Sequence, residues 1–234
     1  MKKNLIFLFL MQVVITTAYA ARPFVTDDAR LTTAGSCQVE SWTRIYRHST
    51  EVWSLPACNP TGNVEVTLGA GRVTFNDPLL DSSNDYIFQA KTLLRPLKIN
   101  DFGVGLAVGS VRHPSINIGP NQLGNTYLYL PVSISMADDK FILHLNSGVL
   151  HDRASASNRA TWGTGAEINA ISRLMFVAEM FGDSTGTSFW QTGVRYGIVP
   201  DLLQIDTTIG KQFGGSTDSR WISFGVRFTP AKIF

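Results

Sequence analysis

Apolar and polar residues alternate along most of the chain, from about residue 37 to residue 229. In segment 64–70 the even positions are apolar and the odd ones polar or small, and segment 222–228 repeats this pattern. In segment 203–209 the odd positions are apolar, apart from Thr207. A period of two indicates a β-strand with two different faces. Strands that are apolar on one face and small or charged on the other are typical of a lipid-spanning barrel with a wet interior.

The alternation predicts an all-β protein, a transmembrane antiparallel β-barrel of about 12 strands of the outer-membrane type. The predicted strands are residues 37–47, 51–58, 63–75, 85–96, 101–112, 125–136, 140–151, 160–170, 173–182, 188–198, 202–212 and 220–229.

Short and long connections alternate between these strands. Tight turns are predicted at 98–100, 137–139, 171–172 and 200–201, and longer loops at 76–84, 113–125, 152–159, 182–187 and 212–219. Outer-membrane barrels have short periplasmic turns and longer outer loops, and an even strand number returns the C-terminus to the periplasm. Only the first loop, around His48, is shorter than this topology predicts.

A soluble secreted β-sandwich is the competing architecture, since it too has many strands and turns. Two features favour the barrel. The predicted strands exceed the usual five or six residues of soluble sheets. Aromatic residues are predicted on the apolar face near strand ends, where barrels have aromatic girdles; they are Tyr86, Phe102, Tyr127, Phe141, Trp162, Trp190, Trp221 and Phe228.

The ends of the chain divide it into four parts. Residues 1–20 have the two lysines, the apolar stretch and the small-residue site of a secretory signal, which predicts cleavage between Ala20 and Ala21. An uncleaved membrane anchor is the alternative. Residues 21–35 are predicted to be a periplasmic N-terminal segment, 36–230 the barrel and 231–234 a C-terminal tail.

The charge balance argues against nucleic acid as a partner. The chain has 20 basic and 18 acidic residues, and removal of Lys2 and Lys3 with the signal leaves a formally neutral protein. The predicted partners are outer-membrane lipid, the barrel-assembly machinery and a small-molecule solute, and the barrel is expected to be a monomer.

Cys37 and Cys58 are the only cysteines. Export favours a disulfide, and a hairpin centred near Arg47 and His48 would place the two opposite each other. Two unpaired thiols are the alternative. No cysteine or histidine pair has metal-ligand spacing, so neither a metal nor another cofactor is predicted.

Seven short motifs suggest a family. They are RPFVTDDA (22–29), CQVESW (37–42), VEVTLG (64–69), QAKT (89–92), GVGLAVG (103–109), LHLN (143–146) and GVRY (193–196). With these motifs the chain resembles bacterial outer-membrane β-barrel proteins described as transporters, related to the MetA-type proteins of phenol-degradation operons. The resemblance covers nearly the whole mature chain. It implies an outer-membrane location and passage of small molecules, hydrophobic ones among them, and brings no catalytic residues.

Charged side chains on the polar face are predicted to line the periplasmic half of the lumen. They are Glu40, Glu65, Lys91, His144, Glu167, Glu179, Arg195, Asp206 and Arg227. Hairpin pairing predicts that Glu167 lies near Glu179, Glu179 near Arg195, Arg195 near Asp206, and Asp206 diagonal to Arg227. These residues form either a structural ion-pair network or a constriction that selects a solute.

The acidic residues Asp27 and Asp28 leave two possibilities for the N-terminal segment. Residues 22–29 either fold into the lumen, where the two carboxylates would meet Arg or Lys, or form a disordered periplasmic leader.

The function predicted from these features is a narrow passive channel for small molecules. One alternative is a closed structural or surface-interaction barrel whose 113–125 loop faces a partner. The other is a lipid-active enzyme that uses His151, Asp152 and Ser155 of one outer loop, although the chain has no G-x-S-x-G motif.

Overall fold

The computed structural model of the protein describes residues 25–113, 123–231 and 233. The predicted signal and its cleavage site, most of the 113–125 loop and Phe234 lie outside the described residues. No helix in the described part is long and apolar enough to cross a membrane.

Twelve antiparallel strands form a closed barrel in which each strand pairs with its neighbours in sequence, and the last strand pairs with the first. This confirms the predicted fold class. The strands are β1 Ser36–Tyr46, β2 Ser49–Asn59, β3 Val64–Phe75, β4 Ser83–Arg95, β5 Phe102–Arg112, β6 Asn125–Met136, β7 Phe141–Asp152, β8 Ser157–Ile171, β9 Leu174–Asp183, β10 Ser188–Val199, β11 Leu203–Gln212 and β12 Trp221–Phe228.

The two faces of each strand follow the sequence alternation. In β12, Phe224 is 52% exposed on the outer face, whereas Arg227 is 2% exposed on the inner face. The same contrast is seen in β3, where Leu68 is 60% and Glu65 is 4% exposed. An apolar outer surface around a polar interior is the reverse of a soluble protein, and it suits a barrel surrounded by acyl chains.

The connections differ in length at the two ends of the barrel. At the end that contains the start of β1, β6 and β7 are joined by four residues, of which Ala137, Asp138 and Asp139 have positive φ angles. At the other end three connections are longer, namely 76–82, 113–124 and 213–220, whereas 153–156 and 184–187 have four residues each and the β1–β2 turn has two. A single 3-10 turn, Thr217–Ser219, is described in the loop between β11 and β12.

The disulfide is confirmed. Cys37 and Cys58 are directly opposite each other in the β1–β2 ladder, and their sulfur atoms are 2.08 Å apart. The bond therefore joins the first two strands at the end of the barrel where the N-terminal segment enters.

Two of the predicted girdle aromatics face inward, so that part of the prediction was wrong. Trp221 is 5% exposed and its Nε1 donates to Gln191 Oε1 at 3.3 Å, and the Tyr127 hydroxyl donates to Gln89 Oε1 at 3.0 Å. Both residues have the inward parity of their strands, and Tyr and Trp are stable there because their polar atoms find partners. Among the others, Tyr86, Phe102, Trp162 and Phe228 are exposed on the outer face.

Candidate functional site

Residues 25–35, called the inner segment here, lie inside the barrel before β1 begins. Thr26, Asp28 and Ala29 are at most 1% exposed although they belong to no strand. Main-chain groups removed from water need hydrogen-bond partners, and here the barrel wall provides them through side chains.

The first residues of the inner segment, 25–27, are bound through their main chain. The N–H groups of Val25 and Thr26 donate to the two carboxylate oxygens of Glu179, each at 2.8 Å. Asn146 accepts from the N–H of Asp27 at 2.8 Å and donates to its carbonyl oxygen at 2.7 Å. Two wall residues thus satisfy four main-chain groups.

Residues 29–32 of the inner segment are bound in the same way. The N–H of Ala29 donates to Ser133 Oγ at 2.8 Å, and the N–H of Thr32 donates to Glu65 Oε2 at 2.7 Å. Asn59 Nδ2 donates to the carbonyl oxygen of Thr32 at 2.6 Å. The inner segment therefore contacts β2, β3, β6, β7 and β9, and crosses a large part of the lumen.

Lys91 is the centre of one buried charge cluster. Its Nζ lies 2.9 Å from Asp27 Oδ1, 3.7 Å from Asp28 Oδ1 and 4.0 Å from Glu65 Oε1. The Tyr129 hydroxyl donates to the other oxygen of Asp27 at 2.7 Å. A buried ammonium group is stable only with such partners, and two of the three carboxylates come from the inner segment.

Glu167 is the centre of a second cluster. Its carboxylate lies 3.0 Å from Arg195, 3.6 Å from Arg30 and 3.6 Å from His144 Nε2. His144 Nδ1 is 2.8 Å from Ser133 Oγ, which links this cluster to the main-chain contact of Ala29. Because Arg30 belongs to the inner segment, both clusters join the wall to it.

The structure places the predicted lumen residues on the inner face. Eight of them are at most 7% exposed, namely Glu65, Lys91, His144, Glu167, Glu179, Arg195, Asp206 and Arg227, while Glu40 is half-buried. Glu40 and Gln204 lie opposite Arg227 on its two sides.

The predicted charge pairs are only partly found. Arg195 lies opposite Asp206 as predicted, and Asp206 lies opposite Gly225, diagonal to Arg227. Glu167 lies opposite Val177, two residues from Glu179.

The prediction that Glu179 neighbours Arg195 was wrong. Glu179 lies opposite Gln191, and Arg195 instead contacts Glu167 of β8, across β9. The β9–β10 ladder is continuous, and its register places Arg195 opposite Met175, four residues from Glu179.

Two cavities lie beside the inner segment in the lumen. One of about 480 Å³ is bounded by β4 to β10, and one of about 260 Å³ by β1 to β4 and β6. Val25, Gln89, Tyr127 and Tyr129 border both cavities. The Tyr127 hydroxyl donates to Gln89 Oε1 at 3.0 Å, and the Tyr129 hydroxyl, which donates to Asp27, lies 3.0 Å from the same oxygen. These contacts hold both rings between the two cavities.

The aromatic lining of these cavities was not predicted from the sequence. Trp42 borders the smaller cavity, and Phe181 and Phe189 border the larger. The signal was present, since Trp42 lies two residues from both Glu40 and Arg44 and thus shares their inward parity.

His151, Asp152 and Ser155 do not form a catalytic arrangement. His151 Nδ1 contacts Asn158 Oδ1 at 2.9 Å, Asp152 Oδ2 accepts from Arg159 at 2.5 Å, and the Ser155 hydroxyl contacts Ser157 Oγ at 2.7 Å. Each side chain is thus engaged by a different neighbour, and nucleophilic catalysis needs the serine and histidine in contact.

Ion pairs also join the connections at the barrel ends. Arg47 of the β1–β2 turn donates to Asp218 at 2.7 Å, and this hydrogen bond lowers the pKa of Asp218. At the opposite end, the Phe102 N–H and the Arg95 guanidinium lower the pKa of Asp101 by donating to it. Both carboxylates therefore stay ionised at neutral pH.

The fold is shared with solved outer-membrane proteins. The KdgM porin has a TM-score of 0.63 at 10% identity, with 83% of this chain and 99% of that chain covered. The NanC porin has a TM-score of 0.59 at 11% identity, with 82% and 98% covered. Outer membrane phospholipase A from Escherichia coli has a TM-score of 0.50 at 8% identity, with 87% and 98% covered.

The shared fold and the apolar outer face identify this protein as a β-barrel of the bacterial outer membrane. No curated protein shows significant sequence similarity to the chain. The model of the family described as "Uncharacterised conserved protein UCP029691" matches residues 8–229, and the chain belongs to this family.

Proposed function

We propose that the protein is a narrow passive channel for small solutes, constricted by its own inner segment. The observation that carries the proposal is the way this segment is bound. Its contacts with Glu179, Asn146, Ser133 and Glu65 are hydrogen bonds to side chains. Among the described residues, its main chain bonds to the main chain of a strand only at its end, where the Gly35 N–H donates to the carbonyl oxygen of Asn59 at 2.8 Å. The side-chain contacts can exchange for water or for a solute one at a time, without breaking the barrel.

The constriction would select solutes by size and by charge. Twelve strands lie between barrels that side chains fill and barrels with a wide aqueous channel, so the inner segment decides the free cross-section. Lys91 and Arg195 are already paired with Asp27 and Glu167, so an entering anion would have to compete with these carboxylates. No energy source is required, since solutes would move down their gradient.

The structural neighbours leave the solute open. One of them is a KdgM porin in complex with oligogalacturonate, an acidic sugar oligomer, and that ligand belongs to that protein. In this chain the paired lumen cations favour small neutral solutes, hydrophobic ones among them. We further propose a monomer without catalytic activity, inserted by the barrel-assembly machinery and related to the MetA-type proteins.

A closed structural barrel is the second candidate, because the inner segment fills much of the lumen. Liposome swelling separates the two. Proteoliposomes in an isotonic solution of a small neutral sugar such as arabinose should swell when they contain the wild-type barrel. The Asp27→Ala variant, which loses the contacts with Lys91 and Tyr129, should swell faster.

Asp218→Ala is the matched control, since it removes an equally charged side chain from an outer loop. It should swell at the wild-type rate. Swelling no faster than protein-free liposomes, for folded wild-type and Asp27→Ala protein alike, would exclude the channel and leave the closed barrel.

A further inference from the structure

The larger lumen cavity has the dimensions of a small-molecule site. Its volume is about 480 Å³, within the usual range of roughly 300–1,000 Å³ for ligand pockets. Val25 and Thr26 form its floor, and its walls extend to Asp183 and Thr187 beside the β9–β10 loop. Val25 is 51% exposed, so the inner segment borders this space without filling it.

Much of the lining of this cavity is apolar. Inward-facing hydrophobic side chains from five strands border it, namely Ile87, Val111, Leu150, Phe181 and Phe189. Apolar side chains on the outer face are explained by lipid, but those on the inner face gain nothing from lipid. Each leaves apolar area in contact with lumen water, which costs about 25 cal/mol per Å². Apolar side chains gathered around one cavity in such a place indicate an apolar ligand.

Aromatic rings border the cavity on two sides. Tyr127 and Tyr129 stack with centroids 5.9 Å apart, and Phe181 and Phe189 stack with centroids 5.4 Å apart. Because the Tyr127 hydroxyl donates to Gln89 and the Tyr129 hydroxyl donates to Asp27, the tyrosine rings are held in place before any solute arrives. Ordered ring faces and edges favour a planar ring by offset or edge-to-face stacking.

The charges of the lumen lie outside this cavity. Lys91, Arg195 and Glu167 are not part of its lining, and its one ionisable side chain besides the tyrosines, Asp183, lies at the loop end with Arg159 at 3.7 Å. An ion placed against the apolar lining would lose its hydration without a counter-charge. The polar groups that remain, Thr161 and Thr187 among them, can accept or donate a hydrogen bond to a neutral group.

We infer that this cavity is a binding subsite for uncharged solutes of one or two aromatic rings. The inference rests on the proposed channel, since it makes the cavity a binding site on the permeation path, next to Val25 and Thr26. The charged constriction alone does not specify the class of neutral solute, and the apolar cavity does.

Equilibrium dialysis of the full barrel in lipid nanodiscs tests the inference, with empty nanodiscs as the background. The probes are 2-naphthol, which is neutral at pH 7, and 2-naphthoate, which has the same rings and a negative charge. We expect saturable binding of about one 2-naphthol per barrel, and binding of 2-naphthoate at least about tenfold weaker.

Two variants place the site. Phe181→Gln with Phe189→Gln removes one ring pair, and Thr161→Trp fills the cavity while both ring pairs stay; each should weaken 2-naphthol binding at least about tenfold. Trp42→Gln, which changes an inward aromatic of the smaller cavity, should leave binding unchanged. Binding that matches empty nanodiscs, equal binding of both probes, or full binding by the folded Thr161→Trp variant would overturn the inference.

Dialysis does not require conduction, so this inference and the channel can fail separately. Swelling in arabinose without saturable 2-naphthol binding would exclude the subsite and still support the channel. Saturable binding without swelling would exclude the channel. The cavity would then be a binding site, but not one on a transport path.

Discussion

Lys91 shows how single residues of the lumen depend on the inner segment. Its side chain is 4% exposed, and its ammonium group faces Asp27, Asp28 and Glu65. The sequence indicates that Lys91 and Glu65 point inward, because parity alone decides the face. The sequence offers Asp27 and Asp28 as lumen partners of an Arg or Lys, but it does not pair them with Lys91, since residues 25–35 have no periodic pattern that fixes their path.

Replacing Lys91 by Met should destabilise the barrel strongly. The change leaves three carboxylates close together in a buried site without their cation, and breaking a buried ion pair typically costs about 3–5 kcal/mol. Urea unfolding of the protein in lipid vesicles, followed by tryptophan fluorescence, measures this loss. Lys140→Met, at an exposed turn position, is the matched control and should change stability little. Equal stability of both variants would show that the three carboxylates do not need the Lys91 cation.

At the scale of elements, the strands were predictable and their exact pairing was not. Alternation located all twelve, because one face must meet lipid and the other the lumen. The register follows only roughly from the turns, because irregularities at 93/95, 169/171 and 197/199 shift the partners beside three of them. Such irregularities depend on local backbone geometry that leaves the hydrophobic pattern unchanged.

The inner segment has no periodic pattern of apolar and polar residues, and Asn146→Ala tests how it is bound. The substitution removes two hydrogen bonds to the main chain of Asp27 and should weaken local binding by about 1–3 kcal/mol. Hydrogen exchange of the amides in residues 25–30 should then be about fivefold to a hundredfold faster. Ser147→Ala, the next residue on the exposed outer face, should leave these rates unchanged. Unchanged exchange in the Asn146 variant would contradict the assigned contacts.

At the scale of the whole molecule, closure follows from the strand count, whereas occupation of the lumen does not. An even number of antiparallel strands lets β12 pair with β1 and removes both open edges. The inward charges predicted a polar interior, but the aromatic cavity and the inner segment depend on residues that are distant in sequence. Function at this scale is set by how much of the lumen stays free once the inner segment is in place.

Single-channel recording in planar bilayers tests the central claim most directly. Barrels refolded from a chain that begins at residue 21 should give small, uniform conductance steps. Barrels from a chain that begins at residue 31, which lacks the residues contacting Glu179, Asn146 and Lys91, should give steps at least about twofold larger. Equal conductance of the two folded barrels, or none from either, would contradict the account.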